Sequence, residues 1–128
     1  MLALTCARAL LEHGLSGIAL LDLPSAHEKS KSAIDSLRKD FPAASVLAET
    51  CDITDAKSTE DTVQKVRDQL GHLTILCCFA GMVYCGPAED LPIEDWRKVL
   101  DVNTTGAWIA AQAVGRYVYC ISYLITTI

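Results

Sequence analysis

Three short runs of strand character, Ile18–Leu21, Ser45–Glu49 and Leu73–Cys78, punctuate this chain, and each follows a stretch with helix-forming composition or spacing. Strands that alternate with helices of ten or so residues build βαβ units, and such units build a mostly parallel sheet with helices on its faces. Continuous apolar runs suit strands covered on both sides. The alternation therefore predicts an α/β fold in one domain, without internal repeats.

The punctuation between the runs agrees. Thr5–His13 is rich in helix formers and stops at Gly14, a residue suited to the left-handed position after a helix. Pro24-Ser25 opens a second helix, with Ser25 and Glu28 at capping-box spacing, Ile34 and Leu37 as its apolar stripe, and Phe41-Pro42 as its end. Thr54 or Asp55 caps a third helix carrying Val63, Val66 and Leu70, which Gly71 closes. Pro92 suits the first turn of a fourth helix holding Trp96, Val99 and Leu100. An apolar helix follows from Asn103–Gly106 to about Val118, and Tyr119–Ile128, rich in β-branched and aromatic residues, has strand character.

Leu73–Gly81 is the expected central strand. Its apolar run closes on Ala80-Gly81, and ligands of open α/β sheets sit outside the carboxyl ends of the strands, so Phe79–Gly81 is expected to floor any site. A net charge of −5 without a Lys/Arg stripe argues against nucleic acid as partner. Six cysteines without C-x-x-C pairing read as reduced thiols of a cytoplasmic protein, with no metal site. Ala107–Ile128 approaches the length of a membrane span, but Arg116 and Gln112 inside it favour a buried helix over a membrane segment.

The spaced motifs resemble the short-chain dehydrogenase/reductase family, over roughly residues 2–118, with 119–128 as an atypical tail. The resemblance implies an incomplete doubly wound parallel, Rossmann-like sheet lacking the first strand and the C-terminal catalytic half. It implies a hydride-transferring oxidoreductase acting on a small alcohol or ketone with a nicotinamide cofactor. Asp22, at the end of the second family strand, would accept hydrogen bonds from the adenosine ribose and repel a 2′-phosphate, which favours NAD over NADP. Asp52 would face the adenine amino group while Ile53 packs beside the ring. Ala80 and Gly81, in Cys78-Phe79-Ala80-Gly81, would let the backbone approach the cofactor ribose. The two asparagines of the family's Asn-Asn-Ala-Gly are replaced here by Cys78 and Phe79. Asn103, in Asp101-Val102-Asn103-Thr104-Thr105-Gly106, matches the catalytic asparagine, which in the family holds a water in a proton relay.

The general acid/base pair is missing. The family's chemistry uses Tyr-x-x-x-Lys, in which the lysine lowers the tyrosine pKa, together with a serine that orients the carbonyl. No lysine follows Lys98, and residues four places beyond Tyr117, Tyr119 and Tyr123 are Ile121, Tyr123 and Thr127. The Gly-rich phosphate loop would end near Met1–Ala3, where no glycine stands. The expectation is a fragment that binds NAD weakly and turns over nothing. Alternatives are a non-catalytic partner of a full-length dehydrogenase and an incomplete reading frame. Assembly of like chains through the helix of about Thr104–Val118 is also implied.

Overall fold

The computed structural model describes residues 2–122, with side chains through residue 118. Helix α1 (Leu2–Glu12) leads to strand β1 (Gly17–Asp22), α2 (Pro24–Asp40), strand β2 (Ser45–Thr50) and α3 (Ala56–Leu70). A short 3-10 turn at Ala88–Asp90 precedes α4 (Ile93–Leu100), a π-helical turn (Asp101–Gly106) and α5 (Ala107–Ser122). The strands pair in parallel, in register from Gly17 opposite Ser45 to Asp22 opposite Thr50. Parallel pairing needs a crossover, and α2 provides it.

Local chemistry sets the boundaries. Gly14 takes φ +89°, and the amides of Gly14 and Leu15 reach back to the carbonyls of Leu11 and Leu10. That is the Schellman closure a left-handed glycine permits. Gly71, at φ 85°, ends α3 in a related way. Asp55 caps α3, its side chain accepting from the Ser58 amide at 2.9 Å. The expected capping box at Ser25 does not form. Pro24 already occupies the first helical turn and Leu23 is the cap residue, so Ser25 lies inside α2, beyond reach of the cap role. Proline pre-sets φ there and makes a polar cap dispensable.

One apolar cluster covers a face of the strand pair, and a second joins α3 to α5. On one face Ala7, Leu11, Ile34, Leu37 and Val46 are buried together, with Ile18 and Leu20 of β1 against them. Alternate residues of a strand face opposite sides, so Gly17 turns the other way, where an added Cβ would stand 3.0 Å from Leu70 of α3. The second cluster joins Val63 of α3 to Ala113 and Val114 of α5, with Leu73, Tyr117 and Val118 beside them. Burying one such aliphatic side chain is worth about 1.5–3 kcal/mol.

Leu73–Cys78 does not form the expected strand. The stretch adopts no regular element, and β1 and β2 are the strands of the described residues. Ile75, Leu76 and Phe79 are exposed. A strand exists only through a neighbour's backbone, and apolar β-prone residues specify extension without supplying that neighbour. β1 takes β2 on one edge, and the described residues place no strand between its other edge and Leu73–Cys78. The sheet is thus incomplete, as the resemblance implied. The first four residues of the Tyr119–Ile128 segment continue α5 as helix, and Tyr123–Ile128 lie outside the described residues. Among the described residues no helix is long and apolar enough to cross a membrane.

Candidate cofactor site

The parallel strands end side by side at Asp22 and Thr50, with Asp52 and Ile53 just past the end of β2. Asp22 is exposed. Its Oδ1 accepts the Leu23 amide at 2.8 Å, and its main-chain oxygen accepts the Cys51 amide at 2.9 Å. The carboxylate is therefore tied to the turn that starts α2 while remaining open to solvent.

Asp52 lies two residues past the end of β2. Its Oδ1 accepts from the Thr54 hydroxyl at 2.7 Å and the Thr54 amide at 3.0 Å. These two donors, the hydroxyl foremost, hold the Asp52 carboxyl below its ordinary pKa. The Asp52 carbonyl accepts from the hydroxyl of Thr59 at 3.3 Å, and Thr59 also meets the Cys51 thiol at 3.6 Å. Thr59 is 1% exposed. A polar group buried that deeply is costly unless bonded, and its partner is the loop that presents Asp52. The sequence offered a signal for it: Thr59 extends the Val63, Val66 and Leu70 stripe by one turn toward the N-terminus of α3.

Asn103 stands in the π-helical turn. Its Oδ1 accepts the Met82 amide at 2.8 Å and its Nδ2 donates to the Met82 carbonyl at 2.9 Å. The side chain thereby fastens the chain immediately after Ala80-Gly81, both of which are exposed. An added Cβ at Gly81 would lie 3.4 Å from Asn103 Oδ1, so the small residue allows the clamp to sit close. Turns of π type cluster at functional positions in helices. At the far end of this turn, Gly106 faces Ile53: a Cβ there would stand 2.8 Å from Ile53 Cγ1 and 2.9 Å from Cδ1. Met82, Thr59 and Gly106 are the partners that the sequence left unassigned, while Thr54, a cap candidate there, bonds Asp52 and leaves the cap to Asp55.

The thiols have little part in this arrangement. Cys77 and Cys78 are exposed and unbridged, and local desolvation of the Cys77 thiol, reinforced by its hydrogen bond with Cys6, raises its pKa. A raised pKa lowers thiolate content and hence reactivity. His27 is half-buried and hydrogen-bonds through Nε2 to the Glu49 carbonyl. Among the described residues no group of three histidine, cysteine or acidic side chains is placed to hold a metal.

A family model described as enoyl-(acyl carrier protein) reductase matches residues 2–127. The chain belongs to the short-chain dehydrogenase/reductase family. This family member is 36% identical over 66 residues to D-threitol dehydrogenase of Mycolicibacterium smegmatis, covering 52% of this chain and 25% of that protein. It also resembles the solved protein gox2181 at 29% identity and a TM-score of 0.81, over 97% of this chain and 51% of that one. With a short-chain dehydrogenase/reductase from Serratia marcescens it shares 26% identity and a TM-score of 0.70, over 79% of this chain and 40% of that one. The chain thus spans about a quarter to a half of the relatives it matches.

The chemistry of the Asp22 and Asp52 carboxylates, of Ile53 beside Asp52 and of the exposed Ala80-Gly81 backbone next to the clamped Met82 fits an adenosine moiety and its ribose.

Proposed function

We propose that this chain forms the adenosine-binding half of a nicotinamide-dinucleotide site in a dehydrogenase acting on a small polyol or secondary alcohol and the matching ketone. NAD is the preferred cofactor. When bound, the cofactor supplies the hydride acceptor and donor; everything else is the work of side chains. Asp22 accepts hydrogen bonds from the ribose hydroxyls, and its charge disfavours a 2′-phosphate. Asp52, kept ionised by Thr54, accepts from the adenine amino group, and Ile53 covers the ring edge. Ala80 and Gly81 admit the second ribose. Asn103 acts as a positioning residue that fixes this backbone through Met82. What supports the reading is a run of contacts among these residues: the Cys51 amide, next to Asp52, on the Asp22 carbonyl, Ile53 against Gly106, and Asn103 on Met82, next to Gly81.

The chain carries no Tyr-x-x-x-Lys pair, so binding, not turnover, is its expected activity. Titration of the purified chain with NAD and with NADP tests the reading. NAD should bind at least about tenfold more tightly, a difference of roughly 1.4 kcal/mol, and Asp22→Ala should abolish the difference. Equal affinity of the unaltered chain for both cofactors would contradict it, as would measurable oxidation of a polyol against the no-turnover expectation.

A second reading is favoured by the exposed apolar side chains of Ile75, Leu76, Phe79, Trp96 and Trp108. In it, the chain is a non-catalytic partner that covers these residues with a full-length relative or a second copy in the cytoplasm. Co-purification with an intact dehydrogenase supports that reading; a monodisperse monomer at high concentration counts against it.

A further inference from the structure

The π-helical turn Asp101–Gly106 touches both ends of the candidate site. At its middle, Asn103 holds Met82; at its end, the bare α-carbon of Gly106 receives Ile53. Gly106 is buried, and its φ is not in the left-handed region, where the described glycines are Gly14 and Gly71. Backbone conformation therefore does not demand glycine at 106. Space does. Glycine within a helix is intrinsically less favourable than alanine, so the fold forgoes helix stability here to leave a notch.

Ile53 has little freedom to retreat from that notch by moving its backbone. The residue before it is fixed twice, through the Asp52 carboxylate on Thr54 and the Asp52 carbonyl on Thr59. A Cβ at 106 would also stand 3.3 Å from the Asp101 carbonyl, which limits the turn's own room to adjust. The collision is relieved chiefly by displacing the Ile53 side chain, and with it the surface beside the Asp52 carboxylate.

We propose that Gly106 is a positioning residue which sets how deeply Ile53 seats, and so tunes affinity for the adenosine moiety without touching it. The proposal rests on the reading of Asp52 and Ile53 as the adenine seat. Its prediction is selective: enlarging residue 106 weakens adenosine ligands more than its effect on stability would, and trimming Ile53 compensates in part.

The test is a titration of the full chain with 5′-AMP, followed by the Ile53 δ1-methyl resonance and by affinity. Gly106→Ala should shift the ligand-free Ile53 methyl signal and weaken AMP about tenfold. Ile53→Val in the Gly106→Ala background removes the Cδ1 contact and leaves the Cγ1 one, and should recover part of the lost affinity. Val114→Ala, in the α3–α5 cluster and outside the candidate site, serves as a destabilised control and should keep AMP affinity within about twofold. Should Gly106→Ala alone fail to fold, the double variant carries the comparison against Ile53→Val. Unchanged AMP affinity in Gly106→Ala, or equal weakening in Val114→Ala, overturns the proposal. Ile53→Ala separates the two claims: if it weakens AMP and Gly106→Ala does not, the seat stands and the positioning role falls. If the unaltered chain shows no AMP-dependent change at Asp52 and Ile53, the adenine-seat reading falls and takes the proposal with it.

Discussion

Residues 72–108 are richer in apolar residues than residues 2–70, yet bury fewer of them. In residues 2–70, the first region, the large hydrophobics left exposed are Leu2, Leu21 and Leu23. In residues 72–108, the second, they are Ile75, Leu76, Phe79, Val83, Tyr84, Ile93, Trp96, Leu100 and Trp108. The first region contains two strands that pair with each other and three helices that cover them. The second contains an extended stretch without a paired neighbour and a helix, α4, in which no residue is buried. Apolar sequence becomes core only where the chain supplies a partner surface. The candidate site lies on the seam: its adenosine-side residues belong to the packed region, and its floor, Ala80-Gly81, belongs to the open one. Gly106, seated against Ile53, joins the two, and Asn103 ties the floor to the turn that carries Gly106.

The largest expected difference between the regions is in amide hydrogen exchange. Amides of Ile18–Leu21 and Val46–Glu49 should exchange at least roughly a hundredfold more slowly than those of Ile75–Phe79, because ladder and helix amides open only with larger unfolding. Comparable protection in both would mean that the second region has found a partner, for example another copy.

Side-chain truncation sharpens the contrast. Leu37, 2% exposed, should lose about 2–5 kcal/mol as Leu37→Ala. Ile75→Ser, at a side chain 56% exposed, should change stability by about 0.5 kcal/mol or less. Denaturant unfolding of the two variants measures both. A smaller effect follows from Asp55→Ala, which removes the α3 cap bond to Ser58 and should cost about 1 kcal/mol. If the α3 seam anchors the Asp52 loop, this variant also broadens the Thr54 and Asp52 resonances.

The smallest effect is in the pH response. Asp52 has a depressed folded-state pKa caused by Thr54, its hydroxyl before its amide. A depressed carboxyl pKa contributes stability that is present above the unfolded value of about 3.9 and is lost as pH falls through the folded value. Asp52 is exposed, so the contribution is small. Thr54→Val should move the Asp52 titration toward the ordinary carboxylate range in NMR, leaving stability at neutral pH little changed.

Much of the packed region was legible in the sequence. Gly14 and Gly71 announced helix ends, Asp55 a cap, and the Ile34/Leu37 and Val63/Val66 spacings the buried faces of α2 and α3, because each is a local signal with a local cause. The family resemblance singled out Asp22, Asp52, Ile53, Ala80, Gly81 and Asn103; the fold sets Ile53 against Gly106 and bonds Asn103 to Met82, next to Gly81. What was not legible depends on partners distant in sequence. Leu73–Cys78 has the composition of a strand, and composition cannot say that its neighbour is missing. Ser25 and Glu28 have the spacing of a capping box, and spacing cannot say that Pro24 will start the helix one turn position earlier. Gly106 has no side chain to attract notice; its meaning comes from Ile53, far away in the chain.

The central claim is that the packed region carries the adenosine end of a dinucleotide site while the open region contributes only the clamped floor. Two-dimensional NMR of the chain during titration with NAD tests it most directly. The account predicts shifts concentrated at Asp22, Asp52 and Ile53, with smaller ones at Ala80–Met82 and none at Trp96 or Trp108. Perturbation centred on Trp96 and Trp108, with Asp22 and Asp52 unmoved, would contradict it.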